Sequence, residues 1–434
     1  MASDLLKNII DISFYHSPLF YLIQSLWRDE AFSYFVARPG LIQVITNTAN
    51  DFNPPLYYLI LHFWIEIVGK SDEGLRILSL LFHLGGVYIS YLLGEKLFNK
   101  KFAKFVALFV LLNPMLLYYA FEIRMYSLYE FLTFLTFYFF IQKDWKRYLL
   151  AAALGLYTHS FFPLLVVALV TYELVIKKSN KKEIVKILAP LLFYLPWVPV
   201  TVSQFIRSGS SWIFPVDFKL IISVLANLFT NYDGTPWYGW GITPILSIFI
   251  ISFLLLGLFK KKRESLIFIL PIFLPLTFII SYSLIKSPLY VNRYLIFITV
   301  FEILGVANGI FLIKSRIIKN LSILFWIGLI VGINFYLPEF KKKTDFRSTF
   351  TEINNLATSK DYAYARTPIG LLETAYYFKN ENKVFVYNPD MIKIPDYIGV
   401  TVVFPHISQS NFPLSPSRTF LINDDASYAV IINQ

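Results

Sequence analysis

The chain has 434 residues, of which 56% are hydrophobic and only 15% are charged, and its mean hydropathy is +0.57. A soluble domain of this size does not need so much apolar surface, so the composition predicts a polytopic α-helical membrane protein. The net charge of +11 does not indicate a nucleic-acid partner, because Lys and Arg lie in short clusters between apolar runs. The absence of cysteine excludes disulfides, thiol catalysis and Cys-based metal sites.

The chain begins with a predicted helix over 4–26, which is weakly apolar because it carries Lys7, Asp11 and His16. An external loop is predicted over 27–75. It contains the apolar run "PPLYYLILHFWIEIVG" at 54–69. A full span there would invert the sidedness of every later segment unless segment 4–27 did not span. We therefore predict a juxtamembrane helix that lies in the outer interface.

Eight later runs approach the roughly 20 residues that cross a bilayer core: 76–98, 103–120, 124–141, 187–206, 242–259, 265–285, 294–313 and 321–337. Five basic clusters separate them and are predicted to be cytoplasmic: 99–104, 142–147, 177–186, 260–263 and 314–320. Segment 148–176 has a basic cluster at each end but is too short for two spans. We therefore predict a helical hairpin with its tip at "YTHS" (157–160). The sum is about eleven membrane segments, with the N-terminus inside and the C-terminus outside.

The composition becomes more polar after residue 338. Helix-like segments "TFTEINNLA" and "IGLLETAYYFKN" alternate with strand-like "YAYA", "KVFVYN", "GVTVVF", "TFLIN" and "YAVIIN". The sequence therefore predicts two domains, a transmembrane domain over 1–338 and a small extracytoplasmic α/β domain over 339–434.

The unusual polar residues of the membrane domain share the predicted outer side. Each has an ordinary structural explanation, such as a helix cap, an interfacial ion pair, a snorkelling side chain or a core histidine. Ionisable groups at membrane depth are nevertheless costly and usually functional, and their common side favours one shared cavity. The residues are Asp29, Glu30, Asp51, Glu122, Arg124, His159, Arg293 and Tyr294.

Such a cavity offers two kinds of chemistry. A carboxylate near a hydroxyl acts as a general base, and an arginine holds a phosphate with two parallel hydrogen bonds. Together they suit a phosphorylated lipid donor, because a phosphate leaves without being protonated and one base is enough. A glycoside hydrolase needs two carboxylates instead.

Six motifs occur in the order of a known family: "WRDEAFS" (27–33), "NDFNPPLYYLILHFWIEIVGKSDEGLRILSLLF" (50–82), "NPMLLYYAFEIRMYSL" (113–128), "YTHSFF" (157–162), "VNRYL" (291–295) and "TDFRSTF" (344–350). Over most of 25–350 the chain resembles the polyprenyl-phosphate-sugar-dependent glycosyltransferases of the GT-C superfamily. It is most similar to the bacterial and archaeal proteins grouped with family 39. Protein O-mannosyltransferases and lipid A aminoarabinose transferases are more distant relatives.

The resemblance implies a role for each residue. Asp29 matches the catalytic base, and Glu30 follows it in the same motif. The donor phosphate and substrate would be held by Arg124, Arg293, Tyr294, Asp51 and Glu122. No cofactor is certain, and the resemblance leaves open a divalent metal held by His159 with Glu122. The weak first helix departs from the strongly apolar one of the family.

The resulting hypothesis is an inverting glycosyltransferase in the plasma membrane, with an extracytoplasmic active site. It would move a sugar from a polyprenyl-phosphate donor to a lipid, glycan or protein acceptor. A transporter or flippase of a lipid-linked sugar is the alternative, but it predicts acids near the bilayer midplane and repeated halves, and the sequence has neither feature. A third class is an assembly protein whose 339–434 domain binds a partner. The aromatic segments 211–215 and 235–241 could stack on sugar, although packing at the interface is favoured.

Overall fold

The computed structural model describes residues 14–207 and 212–433, and most of them are helical. The helices are α1 (Phe20–Ile23), α2 (Arg28–Ala37), α3 (Leu41–Asn50), α4 (Leu56–Val68), α5 (Asp72–Leu97), α6 (Lys100–Leu112), α7 (Pro114–Ala120), α8 (Tyr126–Gln142), α9 (Trp145–Leu156), α10 (Phe162–Thr171), α11 (Lys181–Tyr194), α12 (Val198–Arg207), α13 (Phe218–Thr230), α14 (Thr243–Lys260), α15 (Lys262–Ile285), α16 (Ile296–Phe311), α17 (Arg316–Phe340), α18 (Phe346–Leu356), α19 (Leu371–Tyr377) and α20 (Val400–Val403).

Five short strands follow α18 along the chain: β1 (Tyr362–Ala365), β2 (Val384–Tyr387), β3 (Ser408–Gln409), β4 (Thr419–Ile422) and β5 (Tyr428–Ile431). The chain divides into two compact units. The first unit comprises Met1–Tyr21, Asn53–Tyr57 and Arg76–Phe340, and the second comprises Leu22–Phe52, Tyr58–Leu75 and Lys341–Gln434. The second unit therefore joins the 339–434 segment with much of the predicted external loop.

Helix α16 forms the centre of the first unit, since every residue from 296 to 310 is buried. Glycines allow the surrounding helices to approach closely. A Cβ added at Gly309 would lie 2.2 Å from the carbonyl oxygen of Phe253, and one added at Gly94 would lie 2.7 Å from the Cα of Ala103. Small residues at helix crossings are typical of membrane helix bundles, where association depends on van der Waals packing.

Within residues 14–207 and 212–433, six helices are long and apolar enough to cross a membrane, or seven if the bent pair α6 and α7 is counted as one span. The prediction of eleven membrane segments is therefore not confirmed. The run predicted as one helix over 103–120 bends by 58°, because Asn113 accepts hydrogen bonds from the first amides of α7 and Pro114 occupies its first turn. Helices α8, α9 and α10 have 17, 12 and 10 residues, which is shorter than a full span.

The first predicted helix, 4–26, is interrupted within residues 14–26. Residues 4–13 of the prediction lie outside the described residues, and within 14–26 the α-helix α1 has only four residues. Pro18 lacks a backbone N–H, and Ser17 donates its hydroxyl hydrogen bond back to the carbonyl of Phe14 at 2.8 Å. A turn therefore replaces the continuous helix there.

Segment 148–176 has the predicted hairpin shape in the described residues. Helices α9 and α10 are joined by a turn over residues 157–161, which contains "YTHS". The second arm ends in a six-residue π-helix, Tyr172–Lys177. The depth of this hairpin in the membrane remains a prediction.

The five strands form one mixed sheet in the second unit, in the order β3-β2-β1-β4-β5. Strand β1 is central and parallel to both β2 and β4, so that Tyr364 lies opposite Phe385 on one side and Leu421 on the other. Only β5 is antiparallel to its neighbour. The prediction of a strand at "GVTVVF" is wrong, because this segment contains the short helix α20. The glycine before the helix, Gly399, has a left-handed backbone conformation at φ 79°.

Candidate active site

The turn between α7 and α8 carries two of the predicted site residues, and both are buried. Glu122 is 1% exposed and Arg124 is 6% exposed. The N–H of Arg124 donates to the carbonyl of Glu122 at 2.8 Å, which tightens the turn. Tyr118 lies close enough to Glu122 to interact with its charge. The helix junction thus holds an acid and a base of opposite charge away from water.

The Pro-Pro-Leu segment at 54–56 is tied to the same region within the first unit. The N–H of Leu56 donates to the carbonyl of Tyr157 at 3.0 Å. The hydroxyls of Tyr57 and Ser79 are 3.1 Å apart, and Ser79 in turn donates to the carbonyl of Arg124 at 3.4 Å. Three motifs that lie far apart in the sequence are therefore joined by hydrogen bonds.

His159 lies in the hairpin turn, and aromatic rings surround it. Its imidazole stacks on the ring of Tyr129 with centroids 4.6 Å apart and an 11° angle between the planes, and Tyr294 lies 5.5 Å away. The N–H of Phe161 donates to Nδ1 at 3.2 Å. In the neutral ring the proton is therefore assigned to Nε2.

Arg293 belongs to the turn Asn292–Leu295 that precedes α16. Its guanidinium carbon lies 5.1 Å from the ring of Trp212 and 5.6 Å from the ring of Tyr294. Both Arg293 and Arg124 lie close enough to His159 to act on it electrostatically. The first unit therefore brings together five predicted residues: Glu122, Arg124, His159, Arg293 and Tyr294.

The predicted metal site at His159 and Glu122 has little support from its surroundings. Within residues 14–207 and 212–433, no three His, Cys, Asp or Glu side chains are grouped so that they could hold a metal ion. The charges of Arg124 and Arg293 both act on the imidazole, and adjacent cations disfavour a divalent ion. The geometry suits an anion better than a metal.

Helix α2 in the second unit begins at Arg28, so Asp29 and Glu30 lie in its first turn. Glu30 is fully buried, and its Oε2 accepts hydrogen bonds from the N–H of Trp27 at 3.4 Å and from the ammonium of Lys343 at 3.0 Å. Lys343 is also almost fully buried. The Glu30 carboxylate therefore serves as a helix cap and as half of a buried ion pair.

Asp29 has a different environment from its neighbour. Its side chain keeps 16% of its surface exposed, and the guanidinium Nε of Arg28 is 3.6 Å from its Oδ1. A carboxylate in the first helical turn is stabilised by the helix dipole. Of the two acids, Asp29 is the one whose carboxylate keeps access to solvent.

Asp51 caps the C-terminal end of α3, where its N–H donates to the carbonyl of Asn47 at 2.9 Å. It is buried. Asp51 thus belongs to the second unit with Asp29 and Glu30, whereas the other five predicted residues belong to the first.

Glu373 in α19 is a candidate that the sequence reasoning missed. It is 6% exposed, and α19 packs against α2. Burial raises the pKa of Glu373 to about 8, and the nearby charge and backbone of Arg28 lower it while the charge of Asp29 raises it. This carboxyl group is therefore largely protonated at neutral pH. Its one signal in the sequence was a lone acid among the apolar residues of "GLLETAYY".

A second missed cluster centres on Arg347, which the "TDFRSTF" motif contains. Its guanidinium donates to Asp72 at 2.6 Å and lies 2.9 Å from Glu73, and Tyr377 also donates to Asp72. Burial alone would raise the pKa of Asp345, but hydrogen bonds from Ser348 and Ser25 hold that pKa below its usual value. This motif therefore ties α18 to residues 24–25 and 72–73 within the second unit.

One segment of the chain matches a protein family, and the fold of most of the chain is similar to solved structures. Residues 53–202 match the dolichyl-phosphate-mannose-protein mannosyltransferase family. The structure is similar to that of ArnT from Cupriavidus metallidurans, in the apo state (TM-score 0.63) and bound to undecaprenyl phosphate (TM-score 0.60), each at 12% identity. The predicted resemblance to the GT-C glycosyltransferases is confirmed. The apo comparison covers 97% of this chain and 93% of ArnT, and the lipid-bound one covers 97% and 94%.

A more distant similarity of the same kind is to the archaeal oligosaccharyltransferase AglB from Archaeoglobus fulgidus, in complex with an inhibitory peptide and a dolichol-phosphate. The TM-score is 0.51 at 10% identity, over 81% of this chain and 60% of that one. No curated protein is a significant sequence match. Together with the candidate spans, these similarities identify an integral membrane protein with the GT-C fold.

Proposed function

We propose that the chain is a membrane glycosyltransferase that moves a sugar from a polyprenyl-phosphate donor to an acceptor hydroxyl on the outer face of the plasma membrane. The observation that carries this proposal is the placement of two arginines beside the rings that contact His159 in the first unit. The guanidinium of Arg124 lies 5.9 Å from the ring of Tyr126, which is 6.2 Å from the ring of His159. The guanidinium of Arg293 lies 5.6 Å from the ring of Tyr294, which is 5.5 Å from the ring of His159. Two guanidinium groups, one buried and one half-buried, form a site suited to a phosphate. The similarity to an ArnT structure bound to undecaprenyl phosphate supports a lipid-linked phosphate as the ligand.

The proposed donor site uses the guanidinium groups of Arg124 and Arg293 to bind the phosphate oxygens. Tyr294 and His159 supply ring faces beside them. Their planes could cover the lipid-proximal side of the sugar, as aromatic rings commonly do. The buried Glu122 balances part of the positive charge before the donor binds.

Asp29 is the proposed general base. It keeps access to solvent while the neighbouring Glu30 is occupied by Trp27 and Lys343. In the proposed step, the Asp29 carboxylate takes the proton of the acceptor hydroxyl, and the acceptor oxygen forms a bond to C1 of the sugar. The bond between C1 and the phosphate oxygen breaks on the opposite side, and polyprenyl phosphate leaves with that electron pair. The anomeric centre is inverted.

The test uses the purified full chain in detergent with polyprenyl-phosphate sugars that carry a radiolabel on the sugar, together with a membrane extract as the source of acceptor. The wild type is expected to move label from at least one donor to a product. Asp29→Asn is expected to lower that rate at least about 100-fold, since general base catalysis contributes about that much or more.

Asp390→Asn is a matched control, because Asp390 is exposed and lies in a loop after β2. It should transfer label at the wild-type rate. Equal rates for Asp29→Asn and the wild type would remove Asp29 from the mechanism. Absence of transfer by folded wild-type protein from every donor in the panel would contradict the transferase proposal itself.

A further inference from the structure

A cavity of about 290 Å³ lies within the first unit, where the ends of four helical segments meet. The segments are the ends of α5 and α8, the π-helix at Tyr172–Lys177 and the start of α15. Apolar and aromatic side chains line its floor: Leu97, Phe98, Phe140, Ile141, Ile267 and Phe268. Its basic rim consists of Lys143, Lys177 and Lys261, with Glu173 and Glu264 beside them. A cavity lined by apolar side chains, with charged groups beside them, is suited to an amphipathic ligand.

The cavity is separate from the candidate active site. Helix α8 begins at Tyr126, next to the turn that holds Arg124, and ends at Gln142, next to Lys143 of the rim. Its 17 residues correspond to a length of about 25 Å at about 1.5 Å per residue. The rim residues also belong to three of the basic clusters that the sequence analysis assigned to the cytoplasmic side, so the two sites lie at opposite ends of one helix.

The charges of the rim do not cancel. Lys143 donates to Glu173 at 2.6 Å, and the buried Glu173 also accepts from the hydroxyl of Ser179. That pair is neutral as a unit. Lys177 and Lys261 are exposed, and no acidic group within the described residues forms an ion pair with either of them. With Glu264 as the other acid at the rim, one net positive charge remains.

The π-helix gives the cavity a second unusual feature. π-Helices are rare, usually span a single turn and occur frequently at functional sites. Here the wide turn contributes Tyr172, Glu173 and Lys177 to the lining. The hydroxyl of Tyr172 also donates toward the carbonyl of Arg263 at 3.5 Å. The irregular turn therefore helps to shape both the floor and the rim.

We propose that this cavity binds one anionic phospholipid from the cytoplasmic leaflet. Lys177 and Lys261 would bind its phosphate, and the aromatic floor would contact the beginning of an acyl chain. Basic pockets between transmembrane helices on the cytoplasmic side are known to bind anionic headgroups, and long lysine side chains reach such headgroups readily. Glu264 offers an acceptor for a hydroxyl of a glycerol headgroup. None of the proposed active-site residues lines this cavity, so lipid binding here is independent of the proposed transferase reaction.

The experiment counts bound lipid on the delipidated full chain by native mass spectrometry, with phosphatidylglycerol and phosphatidylcholine of equal chain length as probes. The wild type is expected to retain one phosphatidylglycerol in preference to phosphatidylcholine. The double variant Lys177→Ala/Lys261→Ala is expected to bind phosphatidylglycerol at least about tenfold more weakly, because each lysine near a headgroup contributes about 1 kcal/mol.

The matched control is Lys181→Ala/Lys182→Ala, which removes two exposed lysines from the first turn of α11 without touching the cavity lining. It should bind phosphatidylglycerol as the wild type does. Equal weakening by the two double variants would overturn the proposal, because the lysines would then attract lipid only as general surface charge. Displacement of the lipid by inorganic phosphate at equal concentration, or a clear preference for undecaprenyl phosphate over phosphatidylglycerol, would also overturn it.

Discussion

Glu373 offers a sharp test of how the second unit is organised, because its carboxyl group is buried beside the helix that carries Asp29. Burial raises its pKa in the folded protein to about 8, from an ordinary value of about 4.3 for glutamate. Between these two values the unfolded chain is ionised and the folded chain keeps its proton. Folding therefore binds a proton in this window, and stability falls as the pH rises.

The magnitude follows from the size of the shift. Each pH unit in the window costs about 1.4 kcal/mol, so the full window from about pH 4.5 to about pH 8 amounts to roughly 5 kcal/mol. Glu373→Gln keeps the shape of the side chain and removes the titration. We expect the variant and the wild type to be similarly stable near pH 4.5 and the variant to become progressively more stable than the wild type up to pH 8.

The assay is thermal unfolding of the purified full chain in detergent, followed by tryptophan fluorescence, at intervals from pH 4.5 to 8.5. Glu352→Gln is the matched control, since Glu352 is exposed on α18 and accepts a hydrogen bond from Tyr428 at 2.7 Å. The control should keep the pH dependence of the wild type. Parallel curves for Glu373→Gln and the wild type across the whole range would refute the reasoning.

Three further predictions concern the two units separately. Arg293→Lys should lower kcat/KM for the donor by about 10- to 100-fold, because a lysine cannot form two parallel hydrogen bonds to phosphate; steady-state donor turnover measures this. Lys343→Met should destabilise the chain by about 3–5 kcal/mol by leaving Glu30 buried without its partner, and Glu30→Gln in the same chain should restore much of the loss in denaturant unfolding. Gly155→Ala should cost about 1–3 kcal/mol, because the new Cβ would lie 2.1 Å from the ring of Phe162, and the thermal unfolding midpoint should fall accordingly.

Two controls accompany these predictions. Arg316→Lys changes an exposed arginine at the start of α17 and should leave kcat/KM unchanged. Gly328→Ala adds a Cβ with no atom within 4 Å and should leave the unfolding midpoint unchanged. A Lys343→Met variant as stable as the wild type would show that the ion pair contributes no net stability. An unchanged unfolding midpoint in Gly155→Ala would show that the hairpin accommodates the new Cβ without loss of stability.

Much of the helical pattern could be predicted from apolar runs and basic clusters, because both depend on local composition. The ends of α8, α14 and α16 lie within two residues of the predicted positions for this reason. The bend at Asn113 was missed although its signal was local, since an Asn followed by Pro is a helix start inside an apolar run. The prediction of one helix followed from the length of the apolar run, although Asn113 and Pro114 interrupt it.

The contacts of the second unit could not be predicted in this way, because they join distant parts of the chain. Glu30 and Lys343 are 313 residues apart, and no pattern around either residue indicates the other. At "GVTVVF" a clear local pattern is present, but it predicts the wrong element. Its β-branched residues favour a strand, yet Gly399 begins a short helix beside the ring of Phe32, which would lie 2.9 Å from an added Cβ. Tertiary packing outweighs local propensity at this position.

The candidate site was predicted in part. The residues in the turn before α8, the hairpin turn and the turn before α16 meet within the first unit, as their shared sidedness indicated. The different environments of Asp29 and Glu30 could not be predicted from two adjacent acidic residues, because Glu30 forms its ion pair with Lys343, which is distant in the sequence. The buried Glu373 lies outside every recognised motif, so only the fold reveals it.

The central claim is that the chain breaks the bond between C1 of a sugar and the phosphate of a polyprenyl lipid. A donor that carries ³H in its sugar and ³²P in its phosphate tests this directly with the purified full chain and an acceptor extract. The account predicts that ³H passes to the acceptor while all ³²P remains on the lipid as polyprenyl phosphate, and that Asp29→Asn stops the separation of the two labels. Joint transfer of ³H and ³²P to a product, or recovery of only the intact donor from folded wild-type protein, would contradict it.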